Sequence, residues 1–135
     1  MRALVSRRHL LRTLALTGAA GAVGGFTMLR QPDPQLVATA LVRVFDHPVN
    51  AVAVGRAHRT TTPSEASVRT LVDLVLASLG RTRADVVLAH RDALRSTVAG
   101  TVAQELGAAE VVRVEGWVLA TTQVRLCALA DALHG

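Results

Sequence analysis

Between Val68 and Gly80, apolar side chains fall at i, i+3, i+4, i+7, i+8 and i+11: Val68, Leu71, Val72, Val75, Leu76 and Leu79. That spacing lines them along one face of an α-helix, and Gly80 supplies the left-handed residue that ends it. A helix with one apolar stripe buries it only against other elements, so the rest of the chain must provide partners. Thr62-Pro63-Ser64-Glu65 reads as a capping box, with Thr62 as N-cap, that starts this helix at Pro63 and makes it the best candidate for the centre of the core.

The flanking segments repeat the pattern. Gln31-Pro32-Asp33-Pro34 is a linker whose Asp33 caps a helix carrying Leu36, Val37, Ala40, Leu41, Val44 and Phe45, stopped by Asp46-His47-Pro48. A shorter helix is expected over 49–59, where Gly55 marks either close approach of another helix or weak helicity. Thr82-Arg83-Ala84-Asp85 is a looser cap leading into Val87, Leu88, Leu94, Val98, Val102 and Leu106, up to Gly107. His90-Arg91-Asp92 interrupts that run, which is therefore one helix or two. Val111 to Leu119 is rich in β-branched residues around Glu115-Gly116 and reads as a short extended or hairpin segment lying on the helices. The last helix, 122–133, should bury Leu126, Leu129, Ala130 and Leu133, with Val124 and Cys127 beside them. The expected fold is mainly α. Residues 35–135 form a small bundle of four or five helices with one hairpin near 111–119, preceded by a signal helix in residues 1–30.

The charge is placed asymmetrically. All 15 basic residues are arginines, against 10 acids, for a net charge of +5. Arg2, Arg7, Arg8, Arg12 and Arg30 lie in the first 30 residues, which hold no acid, so the remainder is formally neutral. That neutral body, with only Phe45 and Trp117 for stacking, excludes nucleic acid as the expected partner. Ser6-Arg7-Arg8-His9-Leu10-Leu11, followed by an uncharged stretch from Thr13 to Leu29, resembles a twin-arginine (Tat) export signal. The resemblance implies that Arg7, Arg8, Leu10 and Leu11 are read by the Tat translocon and that the protein is periplasmic. Gly18, Gly21, Gly24 and Gly25 dilute the apolar run as such signals do. They are not a phosphate loop, since no strand precedes them and no lysine exists. Cleavage between residues 22 and 34 is expected. An uncleaved run of about 17 residues would instead be an inner-membrane tether at the lower limit of spanning length.

The C-terminal stretch from Gly116 through Trp117, Thr122 and Arg125 to Leu129 resembles the tail of small, mostly uncharacterised twin-arginine proteins of proteobacteria, Gly-Trp-x-Leu-Ser-x-Thr-Glu-Ala-Arg-Leu-Cys-Ala-Leu. Gly55-Arg56-Ala57 matches their Gly-Arg-Ala-Tyr, with His58 where the tyrosine stands. The chain departs from them at Ala120, where their serine would cap the last helix, and at Gln123, where their glutamate would complete the box. The family implies no established activity. In size and signal the chain is also similar to the small subunits of periplasmic flavin-dependent sugar or alcohol dehydrogenases.

Chemistry-bearing residues are sparse. His47, His58, His90 and His134 stand at no metal-ligand spacing and read as partly solvated helix-end histidines, so no metal or cofactor is expected. No Gly-x-Ser-x-Gly elbow surrounds any serine. Cys127 lies on an apolar face and reads as a buried, inert thiol, or else as a nucleophile. Asp85, Asp92, Glu105, Glu110 and Glu115 face an equal supply of arginines and read as solvated ion pairs. Trp117 is either a plug closing the core or an exposed anchor, and with Arg125 it is the candidate partner contact. These features point to an exported accessory subunit of a larger periplasmic enzyme, such as a redox enzyme, without catalysis of its own. The alternatives are a membrane-tethered helical protein and a small enzyme using His58, His90 or Cys127.

Overall fold

A computed structural model describes residues 30–135, in which Pro32–Gly135 form one compact unit. Arg7, Arg8, Leu10, Leu11, the uncharged stretch that follows them and most of the expected cleavage region lie outside the described residues. The architecture is mainly α, with six α-helices and one two-stranded antiparallel hairpin among the described residues. None of these helices is long and apolar enough to cross a membrane.

Helix α1 (Pro34–Val42) is capped by Asp33, whose carboxylate accepts from the Gln35 backbone N–H at 2.7 Å. Beyond its C-terminus, Arg91 donates to the carbonyls of Arg43 and Phe45, satisfying acceptors that the ended helix leaves free. A 3₁₀ turn (Pro48–Ala51) leads into α2 (Val52–Thr61). The next helix does not start at Pro63 as the capping box predicts. Pro63–Glu65 is a separate 3₁₀ turn, the Thr62 side chain makes no capping bond, and α3 (Val68–Leu79) is capped by Ser67, which accepts from Thr70 N–H. The Glu65 carboxylate is engaged elsewhere, by Arg125 and His58. Gly80 does end α3, at φ 64°.

Thr82 and Asp85 form a complete capping box at the start of α4 (Arg83–Leu88). The long run splits: Ala89 and His90 are extended, and α5 (Arg91–Gly107) starts anew, which makes six helices in place of four or five. The break shifts the phase of the buried face. Val86, Leu94 and Val98 are buried, while Leu88 and Leu106, both in the expected stripe, are exposed. Strands β1 (Val111–Val114) and β2 (Trp117–Ala120) pair Val111 with Ala120 and Val114 with Trp117. Their two-residue turn, Glu115-Gly116, has φ 49° and 85°, and positive φ at both central positions matches the twist of the strands.

The centre of the core is the last helix, α6 (Thr121–His134), and not α3. It packs against α1, α2, α3, α5 and both strands. Val124, Leu126, Cys127, Ala128, Leu129 and Ala130 are all buried, so it has no solvent-facing stripe in its middle. Small residues permit this, most sharply at Gly55 of α2. A β-carbon there would overlap the Cys127 carbonyl and lie 2.8 Å from Ala128 Cα. Close helix approach, and not weak helicity, is therefore the reason for this glycine.

Gly55→Ala is expected to destabilise the fold by about 3 kcal/mol or more, because backbone rather than a flexible side chain would have to move. Urea unfolding of the variant beside Gly100→Ala, whose β-carbon meets nothing within 4 Å, measures the difference. Equal midpoints for the two variants would refute the close-approach account.

Candidate functional site

The polar residues that fold most closely around α6 form one network. Arg125 of α6 grips Glu65 with a fork, Nη2 to Oε1 at 2.8 Å and Nε to Oε2 at 3.1 Å. His58 Nε2 lies 3.0 Å from Glu65 Oε2 and is almost wholly buried, unlike the solvated helix-end histidine expected from the sequence. A second carboxylate, Asp131, is buried near the end of α6 and receives Arg59 Nη1 at 2.8 Å and Arg56 Nε at 3.4 Å. Arg59 also donates through Nε to the Ala66 carbonyl at 3.0 Å. These bonds tie α2, the turn at 63–65 and α6 together.

The network's chemistry is structural. The Arg125 fork, helped by His58, holds the Glu65 carboxyl down at about 2 against the partial burial that opposes it. A carboxylate so engaged is a poor general base. Burial pushes the Cys127 thiol up to about 11, so it stays protonated and is a weak nucleophile near neutrality. His90 sits exposed at the start of α5, and among the described residues no hydrogen bond joins it to His58 or Cys127. His58, His90 and Cys127 thus stand apart from one another among the described residues.

A third carboxylate sets the position of the hairpin. Glu105 is only 6% exposed and pairs with no arginine among the described residues, in contrast to the solvated ion pair expected of it. Its oxygens accept from Thr122 N–H at 2.9 Å and Thr122 Oγ1 at 2.6 Å. Ala120 offers no side-chain cap, so a glutamate from α5 caps α6 from outside and is favoured there by the helix dipole. Glu110 carries the connection into the hairpin. Its N–H donates to the Glu105 carbonyl, and its carbonyl accepts both N–H and Oγ1 of Thr121. Ala109, at φ 56°, makes the bend that brings β1 back to this base.

On that base stands Trp117, 69% exposed at the turn end of β2. It does not plug the core. Val111 and Val118 are exposed beside it, while Val114 and Ala120 are buried and seat the ribbon. Trp117 and Arg125, the two candidate contact residues, are separated in role: the tryptophan faces solvent, and the arginine is spent on Glu65. No sequence spacing announces Glu65, Glu105 or Asp131, because their partners lie 60, 17 and 72 residues away.

The molecule is thus a helical bundle presenting a braced hairpin. No protein family, no curated protein and no solved structure matches the chain.

Two measurements check this geometry. Trp117 is the sole tryptophan and the chain has no tyrosine, so its fluorescence is read without interference. Water-like emission, fully open to a soluble quencher, is expected of the folded protein, and blue-shifted, protected emission would overturn the exposed placement. Glu65 has a folded value of about 2 against an ordinary 4.5, so its contribution is complete above pH 4.5 and lost as pH falls toward 2. Glu65→Gln should cost roughly 2–3 kcal/mol at pH 7, and its stability should converge on that of the parent near pH 2.

Proposed function

We propose that the protein is an exported, non-catalytic accessory subunit that binds a larger periplasmic enzyme, with Trp117 on its hairpin as the anchor. The observation that carries this reading is a large aromatic held in solvent on a braced turn. Exposed tryptophans on preorganised segments are the residues that most often dominate protein contacts. The interior residues able to do chemistry are otherwise engaged: Glu65 and Asp131 are held by arginines, Glu105 caps a helix, and the lone thiol is raised by burial. The twin-arginine pattern at Arg7 and Arg8 supports the address, since that route carries folded cargo and can export a partner lacking its own signal. The resemblance to dehydrogenase small subunits favours a redox enzyme as the partner.

The test is purification of the native protein from the periplasm of cells that express its genomic neighbours. Co-purification of a large enzyme in stoichiometric amount is expected, with loss in Trp117→Ala at unchanged melting temperature. Arg7→Lys with Arg8→Lys should leave both proteins in the cytoplasm. Recovery of a free subunit with every neighbour present would end the accessory reading, and export of the double-lysine variant would end the Tat assignment.

A further inference from the structure

The register of the hairpin fixes which main-chain groups its ladder uses. A two-residue turn makes Val114 and Trp117 a hydrogen-bonded pair, and such pairs alternate along an antiparallel ribbon, so Val112 with Leu119 is the next. Glu110 and Thr121 continue the alternation, with the Thr121 N–H on the Glu110 carbonyl at 3.2 Å. The N–H and C=O groups of Val111 and Arg113 therefore point away from β2. No backbone hydrogen bond from the other described residues reaches them, and both residues are exposed. Four main-chain groups thus stand along the outer edge of β1, interrupted by neither a proline nor a bulge. The outer edge of β2 differs, because Ala120 there is wholly buried and α5 packs against the strand.

The charges along β1 are unspent as well. The ion pairs among the described residues use Asp46, Glu65, Asp73 and Asp131, and none uses Glu110, Arg113 or Glu115, all of them exposed. Their signs alternate from negative to positive to negative. A row of outward donors and acceptors is matched by another extended backbone and not by a helix, whose own groups are already paired.

We propose that the outer edge of β1 receives an extended segment of the protein partner as a third, antiparallel strand. An acidic residue of that segment faces Arg113, an apolar residue two places after it faces Val111, and a basic residue two places before it lies beside Glu115. Arg113 and Val111 each exchange two hydrogen bonds with the residue opposite. The inference rests on the reading of the hairpin as a contact surface and names the kind of segment that surface takes. Four main-chain hydrogen bonds correspond to a Kd on the order of 1 mM for an isolated peptide.

The experiment is an NMR titration of the isotopically labelled full chain with the peptide acetyl-Thr-Lys-Thr-Asp-Thr-Val-Thr-amide, up to about 5 mM. The amides of Val111 and Arg113 should shift and gain protection from hydrogen exchange, more than those of Val112 and Val114, which the ladder already holds. Methylating the aspartate nitrogen of the peptide should abolish binding, because that N–H faces the Arg113 carbonyl. Methylating the nitrogen of the threonine that follows, which points away, should leave affinity within about twofold. A peptide with lysine in place of aspartate should bind about fivefold more weakly and recover on Arg113→Glu, a change at an exposed residue. No shift at about 5 mM, equal effects of the two methylations, or shifts at Trp117 without any at Val111 and Arg113 would overturn the proposal. So would protection of these amides that grows with the concentration of the chain alone, which assigns the edge to a second copy. The titration contains no enzyme, so this inference can fail while co-purification succeeds, and the reverse.

Discussion

At Gly55 the backbone of α2 rests directly on the carbonyl of Cys127, and much of the molecule's polar order follows from that contact. With the two helices this close, Arg56 and Arg59 reach Asp131 one turn beyond it, and His58 is carried inward until its ring meets Glu65. A larger residue would hold the helices apart and leave buried carboxylates without their full set of donors. An uncompensated buried charge costs several kcal/mol, far more than an exposed ion pair gains, so the glycine protects the network as well as the packing. The small residues of α6, Cys127, Ala128 and Ala130, do the same for its other neighbours.

The three interior carboxylates solve one problem in different ways. Glu65 takes an arginine fork and a histidine, Asp131 takes two arginines from one helix, and Glu105 takes the start of α6. Each joins elements distant in sequence, and their short-range substitutes are missing. Ala120 cannot cap α6, and Thr62 does not cap a helix at Pro63. At α6 a long-range contact therefore replaces the local cap and makes that helix end dependent on the assembled fold, whereas α3 moves its start to the local cap at Ser67.

Signals confined to a few neighbouring residues were legible in the sequence. The Thr82–Asp85 box, the Asp33-Pro34 start, the Gly80 stop and the Glu115-Gly116 turn each specify backbone geometry locally, whereas the interruption at His90 left one helix or two open. Thr62-Pro63-Ser64-Glu65 has the same local form, but Glu65 gains more from Arg125, 60 residues away, than from closing a box, and Ser67 takes over the cap. The central position of α6 was hidden for a related reason. A helix buried on all sides shows no stripe, whereas α3 shows a clean one because its other face is wet. Trp117 was ambiguous because an indole closes a core or anchors a partner with the same residue type, and only its exposure in the folded chain separates them.

The stretches 55–58 and 121–129 are distant in sequence and meet where α2 lies on α6. The same α6 begins at the residue that closes the hairpin, since Thr121 bonds the Glu110 carbonyl and Thr122 bonds Glu105. Packing of the core thereby fixes the direction in which Trp117 projects. An anchor fixed before binding loses little conformational entropy on contact, and a small surface then gains useful affinity. The bracing thus holds the chain's one indole in water at a fixed place before any contact is made, which is what the proposed accessory role requires of it.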